Sequence, residues 1–191
     1  MPPFLAAGFD ALVFDYRGYG ASSGRASERH LYEDAQLTYR YLVNEGISPD
    51  HLLIVGHSLG TAVATELASR QASAGLALAA PFASLPDAMR MRVPWFPVGL
   101  LWWTRERFDS KSRIADVSAP TLFVVASADL IVPEASARAL YESARGQKSW
   151  VEVPGGHNDV FGSGEFHAAL EQFRLLLPAC SGAPIDSSNV R

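Results

Sequence analysis

Leu52-Leu53-Ile54-Val55-Gly56-His57-Ser58-Leu59-Gly60 is the stretch that decides the fold. Four aliphatic residues in a row read as a strand buried on both faces. They run straight into a G-x-S-x-G turn, and Thr61 to Arg70 beyond it are good helix formers. A strand-to-helix turn this tight forces its central residue into strained backbone geometry and pushes that residue into the open. The pattern predicts that Gly56 and Gly60 must both lack side chains so that strand and helix can approach. Ser58 is thereby the candidate nucleophile. The Leu59 amide falls at a helix N-terminus, where a free N–H and the positive dipole end can stabilise a developing oxyanion. Neighbouring side chains on such a turn diverge, so His57 reads as a packing or orienting residue rather than a base.

Working outward, similar apolar runs occur at 11–15, 75–79, 121–125 and 150–153. Each is expected to be a strand. Segments of helical period lie between several of them. Leu31, Ala35, Tyr39, Leu42 and Val43 share one face, as do Phe166, Leu170, Phe173 and Leu177. Alternating strand and helix predicts an α/β fold with a mostly parallel sheet covered on both faces. Residues 81–113 break the rhythm with Pro, Trp, Met and Arg, and are expected to form a lid insertion. The domain is expected over residues 1–178, followed by a disordered tail over 179–191 rich in Ser, Gly and Pro.

A serine hydroxyl needs a histidine to take its proton, and that histidine needs a carboxylate to hold its tautomer. In a sheet of this kind both should leave the carboxyl ends of strands, in the order Ser, acid, His. Asp129 follows the run ending at Val125 and precedes Pro133, a residue suited to the first turn of a helix. His157 follows the run ending at Val153, on a loop freed by Gly155 and Gly156. These are the candidate acid and base. His30 at a helix start, His51 at the wrong end of its strand and His167 within the last helix fare worse. Asp116 precedes its strand, and Asp159 reads as a cap for the helix that follows.

The chain has 191 residues, 48% hydrophobic and 19% charged, with 16 basic against 20 acidic side chains and a formal charge of -4. That is the composition of an ordinary globular domain. No run of like charge offers a nucleic-acid stripe or a polybasic anchor, so nucleic acid is not an expected partner. The single cysteine, Cys180, allows no internal disulfide. No apolar stretch approaches the roughly 20 residues that a spanning helix needs. Met1-Pro2-Pro3-Phe4 shows no basic-then-apolar leader, and the compartment stays open, with the cytoplasm only a default because any upstream signal or anchor would be missing.

Six segments together, FDYRGYGASSG at 14–24, GHSLG at 56–60, APFASLPDA at 80–88, RFDS at 107–110, SADLIVP at 127–133 and GGHND at 155–159, resemble the α/β-hydrolases. The resemblance is to the serine aminopeptidase-like branch, with its Bem-type hydrolases, depalmitoylases and monoacylglycerol lipases, and covers residues 5–178. It implies a Ser58–His157–Asp129 triad, no metal, no organic cofactor, and hydrolysis of an ester, thioester or amide through an acyl-enzyme. It also implies three further strands and a helix ahead of DYRGYG, with a loop that completes the oxyanion hole. The expectation is therefore that Met1 is internal to a longer reading frame. The first three strands would then be absent, the strand at 11–15 would lack its neighbour on the side facing 51–55, and activity would be impaired.

Tyr16, Trp95 and Trp102 are the candidate substrate contacts. The cluster Trp95, Phe96, Leu100, Leu101, Trp102 and Trp103 either lines an acyl pocket or packs the insertion onto the sheet. Arg90, Arg92, Arg105 and Arg107 could meet a carboxylate or headgroup, with a solvated surface the plainer alternative. Gly18-Tyr19-Gly20 faintly resembles a dinucleotide loop, but Gly24 falls one place late for G-x-G-x-x-G, and no cofactor follows. The rivals to a serine hydrolase are a non-catalytic binding domain, or an inactive fragment, of the same fold.

Overall fold

In the computed structural model, which describes residues 2–93, 95 and 106–178, four parallel strands form one sheet. They are β1 (Leu53–His57), β2 (Gly75–Ala79), β3 (Thr121–Ala126) and β4 (Lys148–Val153), and they lie side by side in chain order. The register pairs Leu53 with Gly75, Leu76 with Thr121, and Thr121 with Lys148. Parallel neighbours need a crossover between them, and helices supply it. The helices are α1 (Pro2–Ala6), α2 (Glu28–Asn44), α3 (Leu59–Arg70), α4 (Leu85–Arg92), α5 (Ser110–Ile114), α6 (Glu134–Ser143) and α7 (Gly164–Arg174).

Strand periodicity divides the core between the two faces. On one face Ala77, Ala79, Leu122 and Val124 pack under Phe4 of α1 and Phe166, Leu170 and Phe173 of α7. On the other, Leu76, Leu78 and Phe123 meet Ala64 and Ala68 of α3, Ile114 of α5 and Leu140 of α6. A third cluster joins Leu31 and Ala35 of α2 to Ala62 and Val63 of α3, Ala88 of α4, Phe108 and Val132. Ser27 caps α2 by accepting from the His30 amide, and the Tyr39 hydroxyl ties the helix to the carbonyl of Ala72. Val43, at the end of the predicted apolar face, is exposed.

One predicted strand is corrected. Residues 11–15 join no sheet, and Val13 is 68% exposed. Their apolar run matches that of a buried strand, but a strand exists only by bonding to a neighbour, and β1 pairs with β2 alone among the described residues.

The insertion after β2 has a clasped neck. The Leu85 amide donates to the carbonyl of Arg107 at 2.9 Å, and the Lys111 amide to that of Ala83 at 2.9 Å. Glu28, in the first turn of α2, accepts from the Arg107 amide at 2.5 Å, and its own amide donates to the Glu106 carboxylate. Beneath the neck, Glu66 of α3 joins Arg70 and Arg113. The predicted tail at 179–191 lies outside the described residues.

Candidate active site

At the carboxyl end of β1 the chain reverses into α3 through Ser58, whose φ of 51° and ψ of -120° lie in a region L-residues rarely adopt. Three local contacts support this strained residue. Its amide donates to the carbonyl of Ala79 at 2.9 Å, and its carbonyl accepts from the Thr61 amide at 2.9 Å and the Thr61 hydroxyl at 2.6 Å. The two motif glycines prove unequal. A Cβ on Gly56 would come within 2.4 Å of the Gly60 carbonyl oxygen, whereas one on Gly60 would meet nothing within 4 Å. The expectation that both glycines are needed for close approach is therefore corrected: only Gly56 is.

Ser58, His157 and Asp129 come together although 99 and 28 residues separate the partners in sequence. The Ser58 hydroxyl lies 2.8 Å from His157 Nε2, and His157 Nδ1 lies 2.7 Å from Asp129 Oδ2. A carboxylate only accepts, so Nδ1 carries the proton and Nε2 is free to accept from the serine. The side chains of His157 and Asp129 are each 8% exposed, which shields the pair from solvent. The other carboxylate oxygen, Oδ1, accepts from the amides of Ile131 at 2.8 Å and Val132 at 2.9 Å. This turn fixes the direction of the carboxylate, and an aspartate bonded to amides two and three residues on is a familiar local pattern. The Leu59 amide opens α3, where no carbonyl lies one turn back within the helix to accept from it.

Two residues near the base make contacts that the sequence does not signal. Asp159 does not cap the following turn with its side chain; instead Oδ2 reaches back to accept from the Gly156 amide at 2.8 Å. Gly155, at φ 108°, has no room for a Cβ, which would fall 2.8 Å from that of Asp159. An aspartate ahead of a helical turn ordinarily points forward, and here the tight loop supplies a nearer donor behind it. His57 Nε2 meets the carbonyl of His157 at 3.0 Å, a bond to the backbone 100 residues away that no local pattern signals.

The other candidates scatter. Tyr16 packs edge-on against Phe14 at 4.9 Å and against the same cluster as Leu59. Burial, reinforced by the charge of Asp34, pushes its hydroxyl up to about 12. Asp34 itself loses hydration by burial, but side-chain and backbone bonds from Arg17 outweigh that loss and hold its carboxyl below the usual range. Trp95 is 84% exposed. Trp102, with Phe96, Leu100, Leu101, Trp103 and Arg105, lies outside the described residues. Arg90 and Arg92 end α4 and are exposed. His30 bonds to the carbonyl of Arg25 ahead of α2, His167 to that of Ser163 at the start of α7, and His51 ends a 3-10 turn ahead of β1. Among the described residues no group of three or more His, Cys, Asp or Glu side chains is arranged to hold a metal ion, and no helix is long and apolar enough to cross a membrane.

Comparison with known proteins agrees with this architecture. The family model for the serine aminopeptidases, S33, matches residues 3–112. Protein Rv2307c of Mycobacterium tuberculosis is 40% identical over 154 residues, covering 80% of this chain and 54% of its own length. Human alpha/beta hydrolase domain-containing protein 17B is 34% identical over 163 residues, covering 84% of this chain and 54% of its own. The chain thus spans about half the length of these two relatives. Among solved structures, a monoacylglycerol lipase from Paleococcus ferrophilus superposes with a TM-score of 0.65 at 19% identity, covering 90% of this chain and 86% of that one, a likeness of fold. With the parallel sheet, the strained serine turn and this match over more than half its residues, the chain belongs to the serine aminopeptidase S33 family of the α/β-hydrolase superfamily.

Proposed function

We propose that this protein is a serine hydrolase that cleaves carboxylic esters, or thioesters or amides by the same chemistry, through an acyl-enzyme on Ser58. The observation that carries the reading is the continuous relay from the Ser58 hydroxyl through His157 to Asp129, at 2.8 and 2.7 Å. Membership of a hydrolase superfamily supports the reaction class, and the lipase whose fold it shares favours acyl substrates.

In this mechanism Ser58 Oγ attacks the acyl carbon as its proton passes to His157 Nε2. The carbonyl electron pair moves onto oxygen, where the Leu59 amide donates to it. The intermediate collapses, the bond to the leaving group breaks, and that group takes the proton from Nε2. Water then gives a proton to the same nitrogen and attacks the acyl-serine, releasing the acid and restoring the hydroxyl. Asp129 stays ionised throughout and stabilises the imidazolium. Tyr16, beside the Leu59 cluster, is proposed to contact the substrate. Trp95 and Trp102 carry the same proposal from the lid insertion at 81–113.

A fluorophosphonate probe tests this reading, because it needs one attack and no turnover. Slow but stoichiometric labelling of Ser58, in keeping with the expected impairment of a chain with one oxyanion donor, abolished in Ser58→Ala and slowed further in His157→Ala, is the expected result. No labelling of the wild-type chain, or equal labelling of Ser58→Ala, would overturn it and favour a binding domain that retains the constellation without the chemistry.

A further inference from the structure

We infer that His57 is a positioning residue that holds the loop of the base, so that two adjacent residues of the serine turn grip residue 157 from opposite ends. The inference rests on the proposed role of His157 at Ser58. Ser58 engages the imidazole through Nε2 at 2.8 Å, while His57 Nε2 engages the main-chain carbonyl of the same residue at 3.0 Å.

The loop needs such a tether. It leaves β4 through Pro154 and two glycines, one at φ 108°, so its own backbone restrains it little. Three other bonds hold it, from the Ala128 amide to the carbonyl of Gly155 at 2.9 Å, from the Gly156 amide to the Asp159 carboxylate at 2.8 Å and from the Asp159 amide to the carbonyl of Gly156 at 3.0 Å. These fix residues 155 and 156, whereas the bond from His57 fixes the main chain of residue 157 itself.

Proton placement separates the two histidines. A carbonyl only accepts, so His57 carries its proton on Nε2. His157 must carry its own on Nδ1, facing Asp129. The rings, 5.1 Å apart, thus hold opposite tautomers, and His57 has no lone pair on the nitrogen it directs at residue 157. It acts through the base and not in place of it.

His57 also packs 5.5 Å from Phe161, which belongs with Phe4 and Phe166 to an aromatic cluster, so a role in packing alone is the competing account. Two variants divide the accounts. His57→Phe keeps a ring and removes the donor; His57→Gln keeps a donor at similar reach and removes the ring. The readouts are the second-order rate of fluorophosphonate labelling at Ser58, the low-field NMR signal of the His157 Nδ1 proton, and the melting temperature.

A displacement of the base by about 1 Å costs on the order of 100-fold in rate. We therefore expect His57→Phe to label roughly 10- to 100-fold more slowly with a broadened low-field proton, and His57→Gln to recover most of both. His57→Phe labelling at the wild-type rate, or both variants slowed alike, overturns the inference while leaving Ser58 as nucleophile. Should His57→Phe fail to fold, His57→Gln decides: near-wild-type labelling supports the tether, and a tenfold loss in a folded protein overturns it. If the wild-type chain does not label, the reading of Ser58 falls first and the tether with it, an outcome distinct from the others.

Discussion

Alanine at position 56 should damage the protein in a way that alanine at position 60 does not. A Cβ on Gly56 would sit 2.4 Å from the Gly60 carbonyl oxygen, 2.7 Å from its carbon and 2.7 Å from Thr61 Cα. Ordinary contact begins near 3.4 Å, so β1 and the first turn of α3 must part by about 1 Å, backbone against backbone. Overpacking of this kind costs about 1–3 kcal/mol. For a domain of this size that lowers the melting temperature by roughly 2–12 °C. The same 1 Å falls on the residue that aims Ser58 at His157, where a misplacement of that order costs about 100-fold in rate. Gly60 lies within α3 with open space where a Cβ would go, so Gly60→Ala should hold or raise stability, by up to about 1 kcal/mol from helix propensity. Calorimetry and labelling kinetics on the two variants form the assay. If Gly56→Ala melts and labels like wild type, or if Gly60→Ala loses as much stability as Gly56→Ala, the argument from close approach is wrong.

Asp129→Asn keeps an oxygen for the Ile131 and Val132 amides but turns an N–H towards His157 Nδ1. The labelling or hydrolysis rate should fall by about 10⁴-fold with the circular dichroism spectrum intact, and a loss below tenfold would contradict the relay. Glu66→Ala removes the carboxylate shared by Arg70 and Arg113 from a largely buried position. Urea unfolding should report a loss of about 2–3 kcal/mol, discounted from the fully buried case because Arg113 keeps some solvent access; an unchanged midpoint would refute it. Alkaline pH provides a test with a definite sign. The Tyr16 hydroxyl ionises near 10 when unfolded and near 12 when folded, so the unfolded state holds fewer protons between those values and stability declines as pH rises through them. Tyr16→Phe should flatten that decline by up to about 1.4 kcal/mol per pH unit, and identical slopes in urea titrations would sink the assignment.

What the sequence discloses about this molecule tracks how local each feature is. The strands at 75–79 and 121–126 and the buried face of α7 are legible because period and composition act within a few residues. The positions of Ser58, Asp129 and His157 at strand ends are legible because a turn and two loops mark them. Residues 11–15 have equally strong strand character and form none, since pairing depends on a partner that composition does not name. Asp159 illustrates a subtler limit: its type announces a capping residue, but whether it bonds forward or back depends on the course of the Gly155-Gly156 loop. The contact of His57 with the carbonyl of residue 157 joins positions 100 apart through a main-chain atom, and side-chain identity carries no record of that. Gly56 and Gly60 look symmetrical in the motif and become different only when the strand and helix axes are known.

The fastened base of the segment after β2 has a bearing on how this scaffold can diversify. Because residues 83–85 and 107–111 are bonded to one another, the sheet receives the chain at fixed points whatever passes between Arg92 and Glu106. Closing a loop twice as long costs only about 0.6 kcal/mol more. New lengths and compositions can therefore be tried there at small expense to folding, and the region offers a place to graft a reporter.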